Sequence, residues 1–257
     1  MGNGTSELAG RLRLTAAPGG FGDDELTGLP EAVVRYFRAA IFPGAPLARS
    51  ADLDMRGHLK LNGRWLRLRA HEVLAPHDGF VWRARVAGVI TGYDQGVESH
   101  GAMDWRLLGL APVMHAEGPE IARSAAGRAA GEAVWVPTSL LPRFGVRWEA
   151  STDHDITARF TAAGAAAELR IRIDDAGHVS WVRLDRWGDP DGDGVHGQHP
   201  FGFEATETRR VGPFRIPAVG RAGWFHGTPR WEEGEFFRCT ITNLVPTTGT
   251  APSNGAT

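Results

Sequence analysis

The chain has 257 residues, 42% apolar and 23% charged, the balance of a folded globular protein and not of a disordered one. A formal charge of −2 leaves no global basic field to hold nucleic acid. Cys239 is the single cysteine, which excludes intramolecular disulfides and cysteine-rich zinc sites, and no stretch reaches the ~18 apolar residues needed to span a bilayer.

Residues 1–24 are rich in glycine and small polar side chains and read as a loose segment without an apolar core of signal-peptide length, which points to the cytoplasm. Leu29 to Ile41 has helical spacing. Pro30 suits a first turn, Val33, Val34, Phe37 and Ile41 share a stripe, and Pro43-Gly44 stops it. Strands follow: Leu53, Met55, Gly57, Leu59 and Leu61 alternate with Asp54, Arg56, His58 and Lys60, and Asn62-Gly63 signals a hairpin that returns through Trp65 to Val73. Phe80 to Val89 is a third run. Tyr93 to Trp105, with its glycines, titratable groups and aromatics, reads as a loop.

Pro119 to Leu140 returns to helical period, with Ile121, Ala125, Ala129, Ala133 and Val136 on one side. Its small residues make a thin helix that can lie close to a sheet, and Pro137 and Pro142 break it up at its end. A second hairpin sets Ala167, Leu169, Ile171 and Ile173 against Glu168, Arg170 and Arg172, turns at Asp174–Gly177, and returns through Val179 to Trp187. Shorter runs occur at 146–150, 156–161, 201–209 and 234–244; in the last, Phe237, Cys239 and Ile241 share an inner face. Residues 247–257 look like a disordered tail. The fold this predicts is α+β and mostly antiparallel β. It is a single domain over residues 25–246, a curved sheet or half-barrel with an N-terminal helix and a central helix packed against it.

Several blocks resemble an uncharacterised bacterial family of domains of unknown function: LPEAVVRYFRAAIFPGAP (29–46), GYDQGVESHGAMDWRLLGLAPV (92–113), RSAAGRAAGEAVWVPTSLLPRFGVRWEA (123–150), RWGDPDG (186–192) and GWFHGTPRWEEGEFFRCTIT (223–242). The resemblance covers nearly the whole domain and implies no established reaction. The order of elements is also similar to the half-barrel of periplasmic lipoprotein carriers, a likeness of architecture that does not fix function.

Nine Trp and twelve Phe are the unusual feature of the composition; they either fill the space between sheet and helices or line a cavity. On the central helix, Ser124, Arg128 and Glu132 follow at i+4 spacing, with Arg123 to one side. An Arg and a Glu there could hold a carboxylate or work as acid and base. The Ala-rich stripe is the expected core side, however, which leaves that pair on a solvated or partly covered face. Asp94 and Asp104 in the 93–105 segment are candidate general bases, with loop carboxylates capping local N–H groups as the plainer reading. Neither Ser124 nor Ser139 has the Gly-x-Ser-x-Gly context of a hydrolase nucleophile. Asp189, Asp191 and Asp193 imitate half a calcium loop, but Pro200 stands where its closing Glu belongs, and a solvated acidic loop is the better reading.

Together these residues lead to the expectation of a module that binds an apolar or amphipathic small molecule through Tyr93, Trp105, Arg123, Arg128, Trp135, Trp224, Arg230 and Trp231. No cofactor, metal or nucleic acid is expected. The alternative is an enzyme acting on a hydrophobic substrate in the same cavity, with Asp94, Asp104 or Glu132 as its catalytic carboxylate.

Overall fold

The structure is a computed structural model that describes residues 2–249; the expected tail lies mostly outside these. In chain order the elements are α1 (Gly2–Leu12), β1 (Ala17–Gly20), α2 (Glu31–Ala40), β2 (Pro46–Leu47), β3 (Ala51–Leu61), β4 (Arg64–Ala75), β5 (Gly79–Val86), β6 (Ile90–Val97), β7 (His100–Leu107) and β8 (Ala111–Glu117). There follow α3 (Pro119–Glu132), β9 (Arg147–Ala150), β10 (Asp155–Ala162), β11 (Ala165–Ile173), β12 (Val179–Gly188), β13 (Gly197–Val211), β14 (Phe214–Trp224), α4 (Trp231–Gly234) and β15 (Glu235–Pro246).

Thirteen strands form one antiparallel sheet in the order β8-β7-β6-β5-β4-β3-β15-β14-β13-β12-β11-β10-β9. Two meanders, β3–β8 and β9–β14, run outward from the middle, and β15 joins them by pairing with β14 on one side and β3 on the other. The outermost strands β8 and β9 do not pair, so the sheet is curved and unclosed, and the fold is α+β. Helix α3 links the meanders across the concave face, packing on β5–β8 from one arm and β10–β12 from the other.

Alternation decides which side chains fill that concavity. Leu53 and Met55 of β3, Leu68 and Leu74 of β4, and Leu169 and Ile171 of β11 are buried inward, while the intervening Arg and Asp residues face out. α2 covers the far end, where Tyr36 and Phe37 meet Trp148 of β9 at ring-centroid distances of 5.7 and 5.4 Å.

The structure corrects three sequence expectations. The N-terminal segment is not loose throughout: α1 packs on the convex face, burying Ala9 and Leu12 against Val73, Ala75 and Val81. Residues 93–105 are not a loop but most of the β6–β7 hairpin. Its turn at Glu98-Ser99 has no glycine or asparagine to announce it, and Glu98 itself adopts a left-handed φ of +51°. The strands at 111–117 and 214–224 were not anticipated at all.

Candidate functional site

A cavity of about 360 Å³ lies between the second half of α3 and the concave face of the sheet. Its walls are mostly apolar: Leu59 and Leu61 of β3, Trp82 of β5, Met103 and Trp105 of β7, Phe201 and Phe203 of β13, Trp224 of β14, and Phe236 and Phe237 of β15. Val134 and Trp135 close it beyond the helix. Val113 and Met114 of the edge strand β8 line it while remaining exposed, so the cavity reaches the surface there.

One wall is charged. Arg128 of α3 points into the sheet, its side chain only 15% exposed, and bridges Glu132 at 2.8 Å, Asp94 of β6 at 3.2 Å and the fully buried Glu72 of β4 at 3.3 Å. Its guanidinium also lies over the rings of Phe80 and Trp82, 4.5 and 4.8 Å from their centroids. Trp105 donates its indole N–H to the other oxygen of Asp94 at 2.9 Å. Arg128 and Glu132 therefore form part of the interior, not a solvated helix pair. The helix is narrow enough to bury both its Ala stripe and the adjacent charged face.

Burial pushes the Glu72 carboxyl well above the usual carboxylate range, and the neighbouring Glu132 pushes it the same way against the pull of Arg128. Burial likewise raises Asp94, opposed by Arg128 and by the Trp105 hydrogen bond. Burial works against the charge on Arg128 too, but the surrounding carboxylates outweigh it and hold the guanidinium cationic. A second guanidinium, Arg186 of β12, lies near enough to Asp94 to oppose the rise of that carboxyl.

Arg186 is a different kind of cation. Its Nε donates to the Ser124 carbonyl at 3.0 Å and its head rests on the rings of Phe201 and Trp224, at 4.6 and 5.1 Å. It lines the cavity without a carboxylate in bridging distance among the described residues. Burial and the nearby Arg128 bring it down to about 10.

Of the candidates drawn from sequence, Asp94, Trp105, Arg128, Glu132, Trp135 and Trp224 meet in this cavity. Others do not. Tyr93 and Asp104 lie on the opposite, convex face, where Asp104 is bound by Arg106 at 2.8 Å and faces His115. Arg123 stacks over Trp187, away from the cavity. Arg230 is tied to Asp191 and Glu233 on the surface, and Trp231 is buried edge-on against His226.

The three aspartates of the 189–193 loop go separate ways. Asp189 accepts the backbone N–H groups of Gly192, Asp193 and Gly194, Asp191 pairs with Arg230, and Asp193 accepts the N–H of Val195. They do not converge on a common point. Cys239 is buried and its thiol is pushed strongly upward by that burial, the opposite of an activated nucleophile.

Sequence reasoning missed Glu72 and Arg186, although both carried a signal. Glu72 falls in phase with Leu66, Leu68, Ala70 and Leu74, and Arg186 in phase with Val182 and Leu184. A charge on the apolar face of an alternating strand must be buried with a partner or exposed to a cavity.

These features define a class: a curved, open antiparallel sheet crossed by one helix, with an apolar cavity and a buried charged wall between them. The chain belongs to a Family of unknown function (DUF6544), whose profile matches residues 19–236. No curated protein matches it. Among solved structures it is similar to an outer membrane lipoprotein-sorting protein domain from Vibrio parahaemolyticus, with 10% identity and a TM-score of 0.41 over 79% of this chain and 87% of that one. It is also similar to a DUF1329 family protein from Desulfovibrio piger, with 9% identity and a TM-score of 0.38 over 79% and 88%.

Proposed function

We propose that the protein binds a hydrophobic or amphipathic, lipid-like small molecule in the cavity under α3. The observation that carries this reading is the cavity itself. Its volume falls within the roughly 300–1,000 Å³ of small-molecule sites, and aromatic and aliphatic side chains from both arms of the sheet converge on it. Arg186 favours an amphipath with an anionic head, because its guanidinium has carboxylate-free access to the cavity and rings on which to rest the adjoining chain.

Native mass spectrometry of protein purified without detergent, followed by organic extraction, tests for a stoichiometric apolar adduct. Dodecanoate and dodecanol then serve as matched probes. Arg186→Met is expected to weaken dodecanoate binding roughly tenfold to a hundredfold, the range of a hydrogen bond to a charged group, and to leave dodecanol unchanged. Failure of the wild type to take up either probe defeats the reading.

Catalysis on a hydrophobic substrate is the second reading. It is favoured by the placement of Asp94 and Glu132 on the cavity wall, in contact with Arg128, which also bridges the buried Glu72. Carboxyl groups pushed upward by burial beside a fixed cation are the raw material of acid–base chemistry. It predicts turnover of an ester or related analogue of the bound molecule that Glu132→Gln abolishes while binding survives.

A further inference from the structure

Eight large apolar side chains are exposed among the described residues, and six of them cluster at one end of the sheet: Val89, Leu107, Leu108, Leu110, Val113 and Met114. They come from two hairpins, β5–β6 and β7–β8, whose tips touch through the Leu108 N–H donated to the Val89 carbonyl at 2.8 Å. Leu108 and Leu110 are 69% and 81% exposed. Leu108 also occupies a left-handed position, φ +52°, that asparagine or glycine would fill with less strain. A contiguous exposed apolar patch of this kind marks a contact surface.

A second, independent feature adjoins it. On the convex face, Arg56, Arg69 and Arg85 stand directly abreast on β3, β4 and β5. Like charges in register repel one another, and none of the three has a hydrogen-bond or ion-pair partner among the described residues. The next row toward the tips sets His58 beside Arg67, and the Arg67 carbonyl accepts the N–H of Ala87 in the β5–β6 turn itself. These residues border an open groove of about 900 Å³ that reaches Gly88 of that turn and contains no aspartate or glutamate in its lining. α1 packs on the convex face over Val73 and Val81, and its Thr5 and Ser6 border Arg69 and Arg85 from the side away from this groove.

We propose that this end of the molecule docks on the surface of an anionic lipid bilayer. The two hairpin tips enter the interfacial region, and the arginine row faces the headgroup phosphates. Apolar tips alone would suit any greasy partner, and arginines alone would suit any polyanion. Side by side, they complement a surface that is negative at its outer layer and apolar a few ångströms deeper. The assignment goes beyond the ligand reading and stands without it: Val113 and Met114 also line the cavity mouth, but Val89, Leu107, Leu108, Leu110 and the arginine row do not.

Flotation of the full chain with phosphatidylcholine vesicles, with and without phosphatidylglycerol, tests it. Binding is expected to the phosphatidylglycerol-containing vesicles and to weaken as salt is raised. Leu108→Ser/Leu110→Ser is expected to lower the partition coefficient on the order of tenfold. Arg56→Gln/Arg69→Gln/Arg85→Gln is expected to remove the preference for the anionic vesicles. All five positions face solvent, so circular dichroism is expected to match wild type, and Arg186→Met is expected to float like wild type even if it no longer takes up dodecanoate. Absence of vesicle binding, or binding indifferent to both sets of substitutions, overturns the proposal. So does concentration-dependent self-association in sedimentation velocity that the serine variant abolishes without any vesicle binding, because the patch then belongs to a second copy.

Discussion

Replacing Arg128 by Met is the sharpest test of the charged wall. Methionine keeps much of the volume over Phe80 and Trp82 but removes the cation that bridges Glu72, Asp94 and Glu132, leaving Asp94 with the Trp105 N–H and the more distant Arg186. The three bridges lost measure 2.8, 3.2 and 3.3 Å and are shielded from solvent, so the screening that makes surface pairs nearly worthless does not apply. Removing one partner from such a buried set costs about 3–5 kcal/mol, or about 6–20 °C in melting temperature for a chain of this size. The loss has a pH signature. Asp94, raised by burial, loses the guanidinium that opposes that rise and takes up a proton more readily in mild acid, so the variant recovers part of its deficit there. Urea unfolding followed by circular dichroism at neutral and mildly acid pH measures both quantities. A neutral-pH loss below about 1 kcal/mol, or an equal loss at both pH values, would refute the buried-cluster account.

Three other outcomes are expected. Glu72 has a folded pKa above its ordinary 4.5, so its contribution is complete below that value and is lost as pH rises through the folded one. Glu72→Gln mimics the protonated form; its unfolding free energy should match wild type in acid and exceed it progressively toward alkaline pH, and a flat difference contradicts this. Gly101→Ala would set a Cβ 2.5 Å from the Ala122 nitrogen of α3, forcing the helix off the sheet at a cost of about 1–3 kcal/mol, and a variant with wild-type stability in the same assay disproves so tight a contact. His71, raised above its ordinary 6.5 chiefly by its hydrogen bond to Asp52 and also by that to Asp54, contributes fully below that pH and loses its contribution as pH rises through the raised value. His71→Asn should therefore be more destabilised, relative to wild type, in mild acid than in alkali, and melting curves at the two pH values check the sign.

Much of the fold was legible because its strands alternate strictly and its first hairpin carries Asn62-Gly63 at left-handed positions. The β5–β6 and β7–β8 turns use the same geometry with Ala87-Gly88 and Leu108-Gly109, where the first residue is an unexpected choice, and the β6–β7 turn has no glycine at all. Strands separated by such turns run together in the sequence, so β6 and β7 passed for a loop. The site was less legible for a different reason. Whether Arg128 faces water or the sheet depends on how closely α3 approaches β6 and β7, and that distance is set by Gly96 and Gly101, some thirty residues upstream. A Cβ on Gly96 would come within 2.4 Å of the Ala125 side chain.

That close approach also explains why a cavity exists where it does. Ala122 and Ala125 of α3 sit on backbone glycines of β6 and β7, leaving no space between helix and sheet at that point. Further along, the helix presents Arg128, Gly131 and Glu132 to strands whose inward residues are indole and phenyl rings. Rings on a concave surface hold the helix away, Gly131 supplies no side chain to refill the gap, and the two charged residues turn toward Glu72 and Asp94 instead of into the opening. The helix is thus wedged, tight at its first half and propped open at its second. Substitutions that thicken the first half would tilt it and reshape the cavity without touching a lining residue. The charged wall resists that tilt, because moving α3 away from β4 and β6 would separate Arg128 from the fully buried Glu72 and from Asp94. The cluster that makes the site chemically distinctive therefore also fixes its shape.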